Sequence, residues 1–194
     1  KLNGAKGVGA LFLKKGSQDL FSPVCGGNQE KKRRGGTENV AGIAGFGKAC
    51  ELAQKRVDSL EFLNLSSLRE HFYQLVSTLI SGVEIFGDLE NRLPNTLNLG
   101  FEAVEGDTLL ISLDMAGVAV STGSACSSGS GLPSPVLTAM GIPFDKINSS
   151  IRFSFGWSNT TAEIEKAVKI LAQTVSLNRT GTPADVNKKL MKTL

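Results

Sequence analysis

The chain has 194 residues, of which 41% are hydrophobic and 20% charged. That apolar content suits one compact domain, or one and a half, with a true core, and excludes a disordered chain. Three cysteines are too few, and odd in number, for a disulfide scaffold, and they favour a reducing compartment. No apolar run approaches the ~20 residues of a membrane-spanning helix. With 21 basic against 18 acidic residues the net charge is +3, too mild to argue for nucleic acid by itself.

The sequence opens Lys1-Leu2-Asn3, without an initiator Met or a visible targeting segment. It is therefore expected to be either a processed chain or a piece of a longer one. Residues 1–39 are rich in glycine and turns. Val8 to Leu13 reads as a strand between Gly7 and Lys14-Lys15-Gly16, and Pro23, Gly26-Gly27 and Gly35-Gly36 mark loops. From about Val40 the period becomes helical, with Phe46, Cys50, Ala53 and Val57 on one apolar stripe. A second helix is expected from about Ser66 to Ile80, burying Leu68, Phe72, Leu75 and Leu79, with Gly82 and Gly87 closing the region.

Thr96 to Leu99 reads as a strand, Thr108 to Leu113 as a short helix before Gly117, and Val118 to Val120 as a short strand. Ser121 to Gly131 is nearly all small residues and must be a loop. Pro135 to Met140 fits a short helix ended by Gly141. Ile151, Phe153, Phe155 and Trp157 alternate with Arg152, Ser154 and Gly156, a half-buried strand. Thr160 to Glu163 forms a capping box, and Ile164, Val168, Leu171 and Val175 give the next helix its core face. The tail after Asn178 is weakly specified, and no internal repeat is present. Strands alternating with helices in the second half predict an α/β or α+β fold, with helices packed on a small sheet.

Four features could carry chemistry. Cys126 sits in a Ser/Gly loop with no bulky neighbour to bury its sulfur, the setting of an exposed nucleophile or of an inert surface thiol. Arg152 lies mid-strand opposite the apolar residues, as a solvent-facing side chain or a two-pronged carboxylate clamp. Gly35-Gly36-Thr37 precedes the first long helix, so Thr37 could cap it or help bind a phosphate. Lys31-Lys32-Arg33-Arg34 reads as a solvated loop, since no second basic cluster or interleaved aromatics support nucleic-acid binding. The spacing of Cys25, Cys50 and Cys126 fits no zinc pattern. The single His71 falls between apolar positions of a helix, at the surface or core edge, which argues against a Cys–His pair.

Taken in order, several blocks resemble one family. Lys1 to Gly9 resembles the segment that begins at the cofactor lysine of cysteine desulfurases, fold-type I pyridoxal-phosphate enzymes of the class V aminotransferase group. Gly26 to Glu30 with Arg33 to Val40, Leu93 to Asn98, Val104-Glu105-Gly106, Ser124-Ala125-Cys126 and Ser150 to Ser154 are similar to later blocks in the same order. The resemblance covers residues 1 to about 178. Ala5 stands where the family usually has Pro. The family's N-terminal half, which carries most of the large domain with a ring-stacking His and an Asp for the pyridinium nitrogen, has no counterpart here.

The resemblance implies that Lys1 joins the pyridoxal 5′-phosphate cofactor and moves the substrate α proton. It implies that Thr37 binds the cofactor phosphate of the neighbouring subunit in a homodimer, and that Arg152 holds the carboxylate of L-cysteine. Cys126 would attack the substrate sulfur, giving L-alanine and a persulfide for an acceptor such as an iron–sulfur scaffold protein. No metal, nucleic acid or membrane partner is implied, and the location would be cytoplasmic or organellar. Residues 1–45 would form the C-terminal edge of the large cofactor domain and 46–194 the small domain, the first long helix bridging them. A chain with nothing more would not turn over substrate. The alternatives are a selenocysteine lyase or other class V aminotransferase, and a truncated domain that acts only as a docking module.

Overall fold

The computed structural model describes residues 2–16, 24–122 and 133–181. The chain divides into two compact units, Lys1–Glu61 and Phe62–Leu194.

The smaller unit holds α1 (Gln29–Lys32) and α2 (Val40–Asp58). α1 is a single distorted turn in which Glu30, Lys31 and Lys32 take positive φ of 52°, 59° and 67°. Asn39 caps α2, its side chain accepting from the Gly42 N–H at 3.1 Å. Thr37, expected as a possible cap, lies two residues too early. The helical stripe is shifted from the expected one. Ala49 is buried and Phe46 and Ala53 half-buried, whereas Cys50 and Val57 are exposed. A repeat of 3.6 residues lets two adjacent stripes share Phe46 and Ala53, and which one is covered depends on neighbours outside the helix. Val8 to Leu13 is not a strand here. A β-like pattern needs a neighbouring strand to pair with, and none borders it among the described residues; Phe12 is 88% exposed.

The larger unit is a four-stranded antiparallel sheet in the order β1-β2-β4-β3. Its strands are β1 (Val83–Phe86), β2 (Thr96–Phe101), β3 (Ser121–Thr122) and β4 (Ser150–Ser154). Around it lie α3 (Phe62–Leu79), α4 (Gly106–Met115), α5 (Pro135–Ala139), α6 (Phe144–Asn148) and α7 (Thr161–Thr180). This is the α+β form of the expected architecture, with helices on a small sheet.

Strand alternation sorts the two faces. Leu97, Leu99 and Phe101 of β2 and Ile151 and Phe153 of β4 point to one side. There they meet Phe72, Val76 and Ile80 from α3 and its end, Leu109 and Leu113 from α4, and Ile164, Val168, Leu171 and Val175 from α7. Phe72 stands against both Phe153 and Phe155, with ring centroids at 4.8 and 5.4 Å, the second pair edge-on. On the opposite face Phe86 joins Leu137 of α5 and Ile147 of α6 in a second, smaller cluster. It lies over Gly100, where an added Cβ would come within 2.6 Å of the ring. Glycine is therefore required there by close approach.

Several expectations hold. α7 falls where the pattern put it and β4 does so as far as Ser154, the four expected core residues of α7 are all buried, and the Thr160–Glu163 capping box closes in both directions. Others need correction. The β4 ladder ends at Ser154, and Trp157 sits in a turn rather than on the strand, since Gly156 donates its N–H to Asn159 Oδ1. Val118 to Val120 runs without sheet pairing, and the edge strand falls on Ser121–Thr122 instead. On α3 Phe72 is buried as expected and Leu68 and Leu75 are half-buried, but Val76 is the second buried position and Leu79 at the helix end is 56% exposed. β1 and α6 went unforeseen, both being only four or five residues long. At its far end α7 is held by Arg179, which donates to the carbonyls of Glu102 and Ser81 at 2.9 Å each.

Two substitutions separate core from cap. Leu99 is fully buried, so Leu99→Ala should cost about 3 kcal/mol by urea unfolding. Thr160→Ala, which removes the cap, should cost about 1 kcal/mol. The Glu163 carboxyl is held below its usual value chiefly by the Thr160 N–H, then by the Thr160 hydroxyl. Its folded pKa lies below its unfolded one, so the unfolded state binds more protons. Its stabilising share is present above about pH 4.5 and is lost as pH falls through the lowered folded value.

Candidate functional site

The same alternation that buries Ile151 and Phe153 puts Arg152 on the other face of the sheet. Its register partners are Asn98 on β2 and Ser121 on β3, and Asn98 in turn stands opposite Phe86 on β1. One row of side chains thus crosses the sheet: Phe86, Asn98, Arg152, Ser121. Arg152 is half-buried and donates from Nη2 to Ser121 Oγ at 3.4 Å. No carboxylate among the described residues lies within ion-pair distance of it. A guanidinium offers five N–H donors in a planar fork. This one is held sideways by a neutral hydroxyl, with no carboxylate partner among the described residues. Such a group can take a carboxylate in two parallel hydrogen bonds.

Asn98 was not singled out by its sequence. Its side-chain Oδ1 is buried and accepts no hydrogen bond. The available signal was its position, opposite a strand arginine on the polar side of an alternating pattern, but that requires the pairing register, which sequence alone does not give.

In the smaller unit Gly35-Gly36-Thr37 forms a tight turn. A Cβ at Gly35 would approach the Cys25 carbonyl oxygen to 2.8 Å, and Gly36 has φ +90°. Gly35 donates its N–H to the Val24 carbonyl at 2.8 Å, tying the turn to that loop. Arg34 points inward and donates from Nη1 to the carbonyls of Gly36 at 2.5 Å and Thr37 at 3.3 Å. It also lies 3.6 Å from Glu30 and 4.0 Å from Glu38. One member of the basic run is therefore structural, while Lys31, Lys32 and Arg33 are exposed. Thr37 is exposed, and Asn39 has taken over the capping. A backbone crowded at Gly35, turned by the positive φ of Gly36 and followed by an exposed threonine, has the chemistry to accept an anion such as a phosphate.

Lys1 and Cys126 lie outside the described residues. Cys25 and Cys50 are exposed free thiols. His71 is half-buried on α3, its Nε2 3.5 Å from Glu165 Oε1 on α7, which places it at the core edge as expected. Among the described residues no three His, Cys, Asp or Glu side chains gather as a metal site, and no helix is long and apolar enough to cross a membrane.

Comparison with known proteins matches residues 1–167 to the family profile "Aminotransferase class-V". A cysteine desulfurase IscS of Dictyoglomus turgidum is 44% identical over 99% of this chain and 48% of its own length. A cysteine desulfurase of Bradyrhizobium diazoefficiens is 44% identical over 97% of this chain and 47% of its own. Among solved structures, a NifS-like protein superposes with a TM-score of 0.73 at 31% identity, over 84% of this chain and 41% of the other. A NifS-like protein from Rickettsia africae gives 0.70 at 31% identity, over 80% and 40%. The chain spans about half the length of the curated relatives it matches.

The turn is testable without any ligand. Arg34→Ala removes the donors to Gly36 and Thr37, so amide hydrogen exchange at residues 36–38 should quicken at least about tenfold. Exchange in β2 and β4 should be unchanged.

Proposed function

Since this chain belongs to the class-V aminotransferase family, we propose that it is the C-terminal portion of a cysteine desulfurase, taking sulfur from L-cysteine and leaving L-alanine. The observation that carries this reading is Arg152, a half-buried guanidinium with no carboxylate partner among the described residues, on the strand paired with the segment that leads to Cys126. Cys126 is four residues beyond Thr122, so covalent reach alone keeps it within about 14 Å of that strand end. The 41–44% identity to proteins named cysteine desulfurase supports the same assignment.

On this reading Arg152 binds the substrate carboxylate and fixes the direction of the side-chain sulfur. The Cys126 thiolate forms a bond to that sulfur while the carbon–sulfur bond of the substrate breaks. The Ser/Gly composition around Cys126 lets one thiol serve both substrate and acceptor. Pyridoxal phosphate, when bound, supplies the electron sink. Lys1 would hold it and carry the α proton, and Thr37 with the Gly35–Gly36 turn would hold its phosphate, from the neighbouring subunit of a homodimer. Residues 1–45 then belong to the cofactor domain and 46–194 to the small domain. The persulfide goes to an acceptor protein, such as an iron–sulfur scaffold. A free thiolate requires a reducing compartment, the cytoplasm or an organelle of similar poise.

The test uses an enzyme completed with the N-terminal half of the Dictyoglomus turgidum relative. It should form alanine from L-cysteine. Cys126→Ala should lower that rate at least about a hundredfold, and Arg152→Lys should raise KM for cysteine about tenfold or more. Full cysteine turnover by Cys126→Ala would refute the assignment. Retained selenocysteine turnover alongside lost cysteine turnover would agree with it, and equal retention of both would mark a selenocysteine lyase. If the 194 residues are added alone to pyridoxal phosphate, no yellow Lys1 adduct should form, because they span only about half the length of the relatives.

A further inference from the structure

We infer that Asn98 and Ser121 orient the Arg152 guanidinium from its two sides, Asn98 through its side-chain oxygen and Ser121 through its hydroxyl, leaving one edge free for a carboxylate. This deepens the reading above and rests on it. Both residues are register partners of Arg152, one on each neighbouring strand. Directly opposed side chains on one sheet face have Cβ atoms about 5 Å apart, so both flanking groups lie within reach of a guanidinium. Ser121 Oγ already accepts from Nη2. Asn98 Oδ1 is buried and accepts nothing, which is an uncompensated loss of hydration.

The nearest remedy for that oxygen is the donor-rich group one strand away. A small rotation of Arg152 would bring an N–H to it. A carboxylate ligand has no proton to offer Asn98 Oδ1, so the ligand itself cannot satisfy that atom. The guanidinium can, while it grips the ligand with its remaining N–H groups. Phe86 closes the far side of Asn98, and it is itself fixed by Leu137 and Ile147. Asn98 and Ser121 are positioning residues: they act on the substrate through Arg152.

The completed enzyme described above distinguishes positioning from packing. Asn98→Leu keeps the size and removes the acceptor. It should raise KM for L-cysteine about tenfold, with kcat within about twofold. Asn98→Asp supplies a carboxylate that pairs with Arg152 and competes with the substrate, so its KM should rise further, about a hundredfold. Ser121→Ala should raise KM several-fold, and Ser121→Thr, which keeps the hydroxyl, should restore it. KM for L-cysteinamide, which lacks the carboxylate, should move little in any variant. Unchanged KM in both Asn98 variants, or equal rises for cysteine and its amide, would overturn the inference.

A second readout needs no turnover. In the 194-residue chain with sodium acetate, NMR should show guanidinium protons of Arg152 exchanging with water at least about fivefold more slowly than in Asn98→Leu. Equal rates would overturn the inference even if desulfurase activity proved absent. Loss of cysteine turnover in the unsubstituted enzyme, with the exchange difference intact, would instead count against the proposed function alone.

Discussion

Leu97 opposite Phe153 and Leu99 opposite Ile151 fix the register of β2 on β4, and most of the larger unit follows from that pairing. All four side chains are buried against α3, α4 and α7. Because strand side chains alternate, the same register forces Asn98 and Arg152 together on the opposite face. A slip by one residue would drive a guanidinium into the aromatic cluster around Phe72 and lift Phe153 into water. Burying an unpaired charge costs several kcal/mol, so the sheet has one workable alignment. The apolar core thus specifies the polar row and places Arg152 on the sheet face opposite the core.

The legible parts of the sequence were those whose pattern contains its own partner. The β4 alternation has one apolar and one polar side, and α7 joins a reciprocal cap to a long helical stripe. Both are local; α7 matches the reading, and β4 matches it as far as Ser154, where the ladder stops short of Phe155 and Trp157. The illegible parts depend on something distant. Val8 to Leu13 has strand composition but no neighbouring strand among the described residues. Cys50 sat on a plausible stripe, yet α2 covers the one centred on Ala49. Val118 to Val120 carried the β-branched residues, but the ladder with β4 forms on Ser121–Thr122, which register and not propensity selects. Asn98 is the clearest case: its place beside Arg152 comes from a pairing of residues 54 positions apart in the chain.

The smaller unit obeys a different logic. It has little buried apolar surface, and its order near Thr37 comes from polar contacts. Arg34 gathers three carbonyls and two carboxylates, and Gly35 packs its backbone onto the Cys25 loop. The basic run that looked like a solvated patch therefore divides by function: its last member folds the turn, and the other three face water. Asn39 takes the cap of α2, which leaves the Thr37 hydroxyl uncommitted. A threonine spent on capping could not also serve an anion.

β3 is only two residues long, and it anchors the chain just before the small-residue segment. Four residues of chain separate that anchored end from Cys126, so connectivity alone holds the thiol within about 14 Å of the β3 edge, whatever course those residues take. Any molecule that meets this thiol must come inside the same radius, and the surface it encounters first is the rim of the sheet at β3.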